Sequence, residues 1–243
     1  SDAPIGTFLS GGLDSSVITS IAAQYKNDLY TLSLDFHEKD LSEKYYQQLI
    51  VKKYNTNHTN YVIDEKMFLE NIHEFIDSFD QPTIDGLNTF FVSKAAINSG
   101  LKSVLSGVGG DEIFYGYSTF KNARKINILN MLPSFIIDLI PKNKKLEKLN
   151  FLKIGGDIST YLPLRTVFSP IEIAKILDTS VDFIYKVMIE NLEQDYISDI
   201  RHLDDKISFF ELNLYMKNQL LRDTDVFGMA NSLEIRVPFL DKE

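Results

Sequence analysis

The stretch TFLSGGLDSSVI, Thr7 to Ile18, decides the fold: an apolar run, a turn of serines and glycines around Asp14, then residues of helical character. Strand, Ser-Gly turn and helix in that order make a cradle for an anion, because unpaired backbone N–H groups at a helix start attract negative charge. The design returns in SVLSGVGGDEIF, Ser103 to Phe114, where Asp111 follows the glycines as Asp14 does in the first copy. A carboxylate repels a phosphate, so two cradles that each hold an aspartate need a reason.

Outward from the first copy, strand and helix signals alternate. PIGTFL reads as a strand and SSVITSIAAQY as the helix after it. LYTLSLDF is a second strand, followed by a helix from about Ser42 to Tyr54, capped by Asp40 with Glu43 three residues on. TNYVI is a third strand, and DEKMFLENIHEFIDSF sets Met67, Phe68, Ile72, Phe75, Ile76 and Phe79 on one helical stripe. The turn-rich DQPTIDG leads to the helix NTFFVSKAAINS, ended by Gly100, and KSVLS is a fourth strand. This alternation predicts an α/β protein with a doubly wound parallel sheet and right-handed crossovers. Ligands of such sheets bind outside the carboxyl ends of the strands where the winding reverses. If KSVLS pairs beside PIGTFL, both cradles line that crevice.

From about Tyr117 the pattern changes to helical stripes in IEIAKIL, VDFIYKVMIENL and ISFFELNLYMKNQLL, with no strand repeat evident. The expected organisation is an α/β core over residues 1–117 and a helical lobe over 118–243. The apolar stretch ILNMLPSFIIDLI is interrupted by Pro133 and Asp138 and falls short of the roughly 20 residues that span a bilayer. It reads as two short helices broken at the proline.

Composition narrows the chemistry. A formal net charge of −9 over 243 residues argues against broad nucleic-acid binding, which needs a basic face, although KNARK and KNKKLEK are local basic clusters. Cysteine is absent, which excludes disulfides, thiolate metal sites and cysteine nucleophiles within the chain. Four scattered histidines, His37, His58, His73 and His202, do not make a histidine-rich metal cluster. No signal peptide is visible and the first residue is serine, so the expectation is a piece of a longer, cytoplasmic protein.

A hard cation reconciles the two aspartates with an anion. Magnesium takes one or two protein carboxylates and fills its other positions with phosphate oxygens and water. Asp14 and Asp111 then serve as metal ligands, while Ser10, Gly11, Gly12, Ser15 and Ser16 supply neutral donors. The alternative is that each aspartate caps its own helix, a common role for the residue. No GxxxxGK[ST] occurs, so the lysine-armed phosphate loop is missing.

LSGGLDSS resembles the pyrophosphate loop of the ATP-pyrophosphatase superfamily, whose fold is the adenine nucleotide alpha-hydrolase-like sheet. LSGVGGDEIFYGY and LEIRVPFLD resemble, more narrowly, the synthetase domain of the glutamine-hydrolysing asparagine synthetase family. The resemblance implies ATP and Mg²⁺ as cofactors, and a carboxylate substrate, most simply aspartate. The carboxylate attacks the α-phosphorus, pyrophosphate leaves, and ammonia displaces AMP to form an amide. By motif position it implies AMP contacts from Leu9, Ser10, Leu34, Ser106 and Gly107, and metal binding by Asp14 and Asp111. It also implies a glutaminase domain in the full-length protein, absent from this chain, and no nucleic-acid or membrane partner. A homodimer is a further expected assembly.

Two positions depart from the family. SGEGADE in asparagine synthetases carries a glutamate where this chain has Val108, and a Lys or Arg that reaches pyrophosphate there corresponds to Val226 in DTDVFGMANS. The SGxGGDE form is similar to members whose substrate is another carboxylate, such as an acidic sugar. The departures also admit a module that binds nucleotide without turnover. Glu112 either takes over part of the lost role or forms a salt bridge at the helix start. Asp80 and Asp85 approach the substrate pocket or simply form turns. Arg236 pairs with Glu234 or Asp241, or touches substrate. His58 reads as a hydrogen-bonded structural residue.

Overall fold

The computed structural model describes residues 4–36, 43–131, 143–191 and 199–241. Its sheet has five parallel strands in the order β3-β2-β1-β4-β5, made of β1 (Ile5–Phe8), β2 (Tyr30–Phe36), β3 (Asn57–Ile63), β4 (Ser103–Leu105) and β5 (Glu234–Arg236). The first four are the four strands read from the sequence, and β4 does lie against β1, with Thr7 opposite Leu105 on one side and Thr31 on the other. The winding reverses between these two strands. The doubly wound parallel sheet is therefore the observed fold class.

Period-2 alternation sends β1 residues to both faces. Thr7, fully buried, bonds Thr19 of α1 (Leu13–Tyr25) through their hydroxyls at 2.9 Å. Gly6 and Phe8 face the other way, into a core of Leu32, Leu101 and Val104 with Ala95 and Ala96 of α4 (Gly86–Asn98). A Cβ on Gly6 would come within 2.6 Å of Leu101, so the bare backbone lets the sheet and its cover approach. α2 (Lys44–Tyr54) follows β2, and Asp40, expected to cap it, lies outside the described residues; Glu43 stands at its N-cap position. α3 (Glu65–Asp77) is capped by the Asp64 side chain, which accepts from the Met67 N–H at 2.7 Å. Met67, Phe68, Ile72 and Phe75 of its stripe face a second core with Ile63, Phe90, Phe91 and Phe227. Ile76 does not belong to that stripe: it is 51% exposed, one position past the buried face that Phe75 completes. Gly100 closes α4 as expected, its N–H donating to the Ile97 carbonyl at 2.9 Å and that of Leu101 to Ala96 at 3.1 Å.

The chain forms two compact units, Ser1–Asp111 with Met216–Glu243, and Glu112–Tyr215. The all-helical reading of 118–243 is thus corrected by β5, which pairs with β4 through Ser103–Glu234, Val104–Ile235 and Leu105–Arg236. Only Ile235 of its three residues is apolar, and one residue carries no periodicity. The helix Leu221–Ala230 leads into β5 and packs against α4, with Phe227 centred 6.5 Å from Phe90 and 5.1 Å from Phe75 of α3.

The second unit is helical among its described residues. Phe120, Phe151, Ile158, Tyr161, Ile207 and Phe210 form its core. Arg165 donates to buried Glu211 at 2.9 Å and lies over the rings of Tyr117 and Tyr215, at 4.4 and 4.0 Å from their centroids. The proposed break at Pro133 lies outside the described residues; the helix Ser118–Asn130 precedes it.

At the α4 start, a Cβ on Gly86 would stand 2.7 Å from one ring carbon of the buried Phe227. Gly86→Ala is expected to destabilise the protein by about 1–3 kcal/mol through overpacking, measured as a lowered midpoint of urea unfolding.

Candidate active site

The first cradle is a turn held by its own hydroxyls. The Ser10 and Ser15 hydroxyls bond at 2.9 Å, the Ser10 N–H donates to Ser15 Oγ at 3.2 Å, and the Gly12 N–H donates to Ser10 Oγ at 3.2 Å. Ser16 Oγ donates to the Gly12 carbonyl at 2.7 Å, inside the first turn of α1. Gly11 sits at φ +99°, a conformation that side chains disfavour, and a Cβ there would also meet Glu43 at 2.9 Å. Asp14 occupies the first turn of α1, where no side chain caps the helix N-terminus.

The second cradle lies directly on the first. A Cβ on Gly107 would come within 2.6 Å of the Ser15 nitrogen, and one on Gly110 within 2.5 Å of an Asp14 carboxylate oxygen. The third motif closes on the same place, since the Ser106 N–H donates to the Arg236 carbonyl at 2.8 Å and Gly109 packs on Phe239 and Leu240. The two aspartates are near enough to interact. Burial raises the Asp14 pKa above its ordinary value, and the negative charge of Asp111 raises it further. Among the described residues no group of three or more His, Asp or Glu forms a metal cluster. Two like-charged carboxylates beside neutral donors fit a cation that keeps phosphate and water as its other ligands. Asp14 and Asp111 are the residues that would hold it.

Beside the crossing lies a cavity of about 330 Å³, within the usual range for small-ligand pockets. Of the expected AMP contacts, Leu9, Ser10, Leu34 and Ser106 line it, as does Val108. Gly107 belongs to the crossing instead. The buried Ser33 hydroxyl donates to the Leu9 carbonyl at 2.5 Å, and the Leu9 N–H to the Leu32 carbonyl at 2.8 Å, which fixes the backbone at the cavity edge. Sequence reasoning missed Gln47, Asn88, Thr89, Thr224 and Ile235, which also line it. The signal for Gln47 was a glutamine on the side of α2 that Ile50, Val51 and Tyr54 also partly bury.

Other expected residues fall elsewhere. Glu112 is 1% exposed in the helical unit, where its carboxylate accepts from the Tyr117 hydroxyl at 2.8 Å and its carbonyl from Ser208 at 2.7 Å. Its carboxylate is thus engaged by a tyrosine hydroxyl inside the helical unit. Arg236 pairs with Glu234 at 3.0 Å. Alternation along β5 explains this, because Ile235 takes the cavity side and Arg236 lines an apolar groove with Ile18 and Ile21 of α1. Val226 packs against the Phe75 and Phe227 core. His58 is structural as read, with Nδ1 bonded to Thr31 at 3.0 Å and burial lowering its pKa.

Asp80 pairs with Arg222 at 2.6 Å, and that hydrogen bond lowers its pKa. Asp85 stands at the N-cap position of α4, where its carboxylate accepts from Asn88 at 3.4 Å. Thr83 ties this turn to the helix Leu221–Ala230: its hydroxyl donates to Asp223 at 2.6 Å and accepts from the N–H groups of Asp85 and Gly86 at 3.1 and 3.0 Å. Asp223 is 4% exposed, and burial raises its pKa against the opposing bonds from Thr83 and Gln219.

A parallel sheet with two glycine-rich turns meeting where its winding reverses defines a doubly wound α/β protein. The chain matches the asparagine synthase family over residues 1–243 and belongs to that family. It is 28% identical over its whole length to asparagine synthetase (glutamine-hydrolysing) 1 of Bacillus subtilis (strain 168), covering 39% of that protein. It is similarly 28% identical to a putative asparagine synthetase of Mycobacterium tuberculosis (strain ATCC 25618 / H37Rv), covering 38% of it. The chain thus spans under two fifths of the length of these relatives. Among solved structures, an NH3-dependent NAD synthetase from Campylobacter jejuni aligns with 95% of this chain and 83% of its own, at a TM-score of 0.36 and 13% identity.

Two outcomes follow from the crossing. Gly107→Ala is expected to push the two turns apart, with a loss of about 1–3 kcal/mol in stability, read by urea unfolding. Because the folded-state pKa of Asp14 is raised, the folded state binds the proton more tightly, and stability falls as pH rises above the ordinary aspartate value. Asp14→Asn should therefore be more stable than wild type at pH 7 without ligands, by an amount that shrinks toward pH 4, checked by unfolding across that range.

Proposed function

We propose that this chain is the synthetase part of an ATP-dependent, amide-forming ligase. The observation that carries the reading is the crossing itself: two carboxylates and a set of neutral hydrogen-bond donors meet beside a cavity sized for a small ligand. Backbone N–H groups and serine hydroxyls suit a leaving pyrophosphate, whose charge grows as the bond to the α-phosphorus breaks. Mg²⁺ held by Asp14 and Asp111 would neutralise that charge.

In this reading Leu9, Ser10, Leu34 and Ser106 hold the AMP part, and Gly11, Gly12, Ser15, Ser16 and Gly107 surround the pyrophosphate. A carboxylate oxygen of the acceptor bonds to the α-phosphorus as pyrophosphate departs with the electron pair of the broken P–O bond. Ammonia then attacks the acyl carbon, AMP leaves, and a proton is released as the amide forms. The names of the relatives support aspartate as the acceptor and glutamine, hydrolysed outside this chain, as the ammonia source. Val108 in the cavity wall favours a second acceptor class, such as an acidic sugar, because valine neither orients nor deprotonates a nucleophile.

Pyrophosphate release from ATP and Mg²⁺ tests the proposal, with and without ammonium, across aspartate, glutamate and acidic sugars. The expected result is release dependent on one carboxylate, falling by about 10²-fold or more in Asp14→Asn. ATP binding without release for any acceptor would replace it with a nucleotide-binding role.

A further inference from the structure

Gln47 is 2% exposed, and its two amide atoms have different surroundings. Nε2 donates to the Ser10 carbonyl at 3.1 Å. A carbonyl can only accept, so this contact fixes which side of the amide carries the hydrogens. Oε1 is left with no partner among the described residues, although it is buried. Buried acceptors are almost always satisfied in native proteins, so an orphan in a ligand cavity points to a donor on the ligand. The side chain lines the 330 Å³ cavity with Leu9, Ser10 and Leu34. It is also wedged at the first cradle, where a Cβ on Gly11 would stand 3.4 Å from its Cγ.

We infer that Gln47 is a specificity-determining residue whose Oε1 accepts a hydrogen bond from the nucleoside part of the bound nucleotide. This deepens the proposed function and rests on it. The phosphate chain offers only acceptors and cannot serve Oε1. The donors of ATP are the adenine 6-amino group and the ribose 2′ and 3′ hydroxyls, and each has an analogue that lacks it. The competing occupant is water, which would satisfy Oε1 and leave no preference among analogues.

Calorimetric titration of the full chain with Mg²⁺ and ATP, purine riboside triphosphate, 2′-deoxy-ATP or 3′-deoxy-ATP, in wild type and Gln47→Leu, tests the inference. Wild type should bind one analogue roughly tenfold more weakly than ATP. Gln47→Leu should weaken ATP by a similar factor and abolish that preference, while leaving the order of the other analogues unchanged. A general disturbance of the cavity would weaken every ligand alike and preserve the preference. Gln47→Met, nearly as long and unable to accept strongly, replaces the leucine variant if that one fails to fold. Equal binding of ATP and all three analogues by wild type overturns the inference alone, as does a preference that survives the substitution. Absence of ATP binding overturns the nucleotide reading and this inference with it.

Discussion

The close approach of two turns, Gly107 to the Ser15 amide and Gly110 to the Asp14 carboxylate, is the constraint on which the site depends. Parallel pairing of β1 with β4 aims both loops at the same end of the sheet, but it brings them no nearer than their side chains allow. Hydrogen in place of a Cβ removes that limit. It also leaves peptide N–H groups, rather than long side chains, at the crossing. The third motif reinforces the same point by laying Phe239 and Leu240 on Gly109.

The crossing concentrates negative charge before any ligand arrives. Asp14 carries the electrostatic cost, since burial and Asp111 both disfavour its ionised form. Neighbouring like charges of this kind cost folding stability whenever both groups are ionised. The cavity next to it is built differently, from carbonyl groups fixed by Ser33 and Gln47 and from apolar walls of Val92, Val108 and Ile235. Charge and shape recognition thus occupy adjoining spaces.

Much of this was legible from residue order. Four strands and the stop at Gly100 follow from local patterns, because each is encoded by contiguous residues with a clear period or a turn chemistry, whereas the meeting of the two Ser-Gly turns hung on the condition that β4 pairs beside β1. What was not legible depends on partners distant in sequence. β5 has one apolar residue and exists because the edge of β4 is open to it. The bond from the Tyr117 hydroxyl to the Glu112 carboxylate is marked by no local pattern. Arg236 sits one residue from the cavity wall, and a period of two turns it to the opposite face of the sheet. Gln47 gave only the faint sign of a polar residue on a buried helix side, and its meaning rests on an acceptor that nothing in the sequence marks as unmatched.

The placement of β5 has a consequence for how the protein is made. Its partner β4 leaves the ribosome about 130 residues earlier, given the pairing of Ser103 with Glu234. During that interval the edge of β4 stays open, and Gly109 lacks its cover of Phe239 and Leu240. The helical unit, encoded wholly between the two, can collapse on its own local contacts while the sheet waits. Completion of the cavity is therefore a late event of synthesis, coupled to the arrival of Thr224 and Ile235. A nascent chain stalled before them would hold both glycine turns and still have no finished pocket.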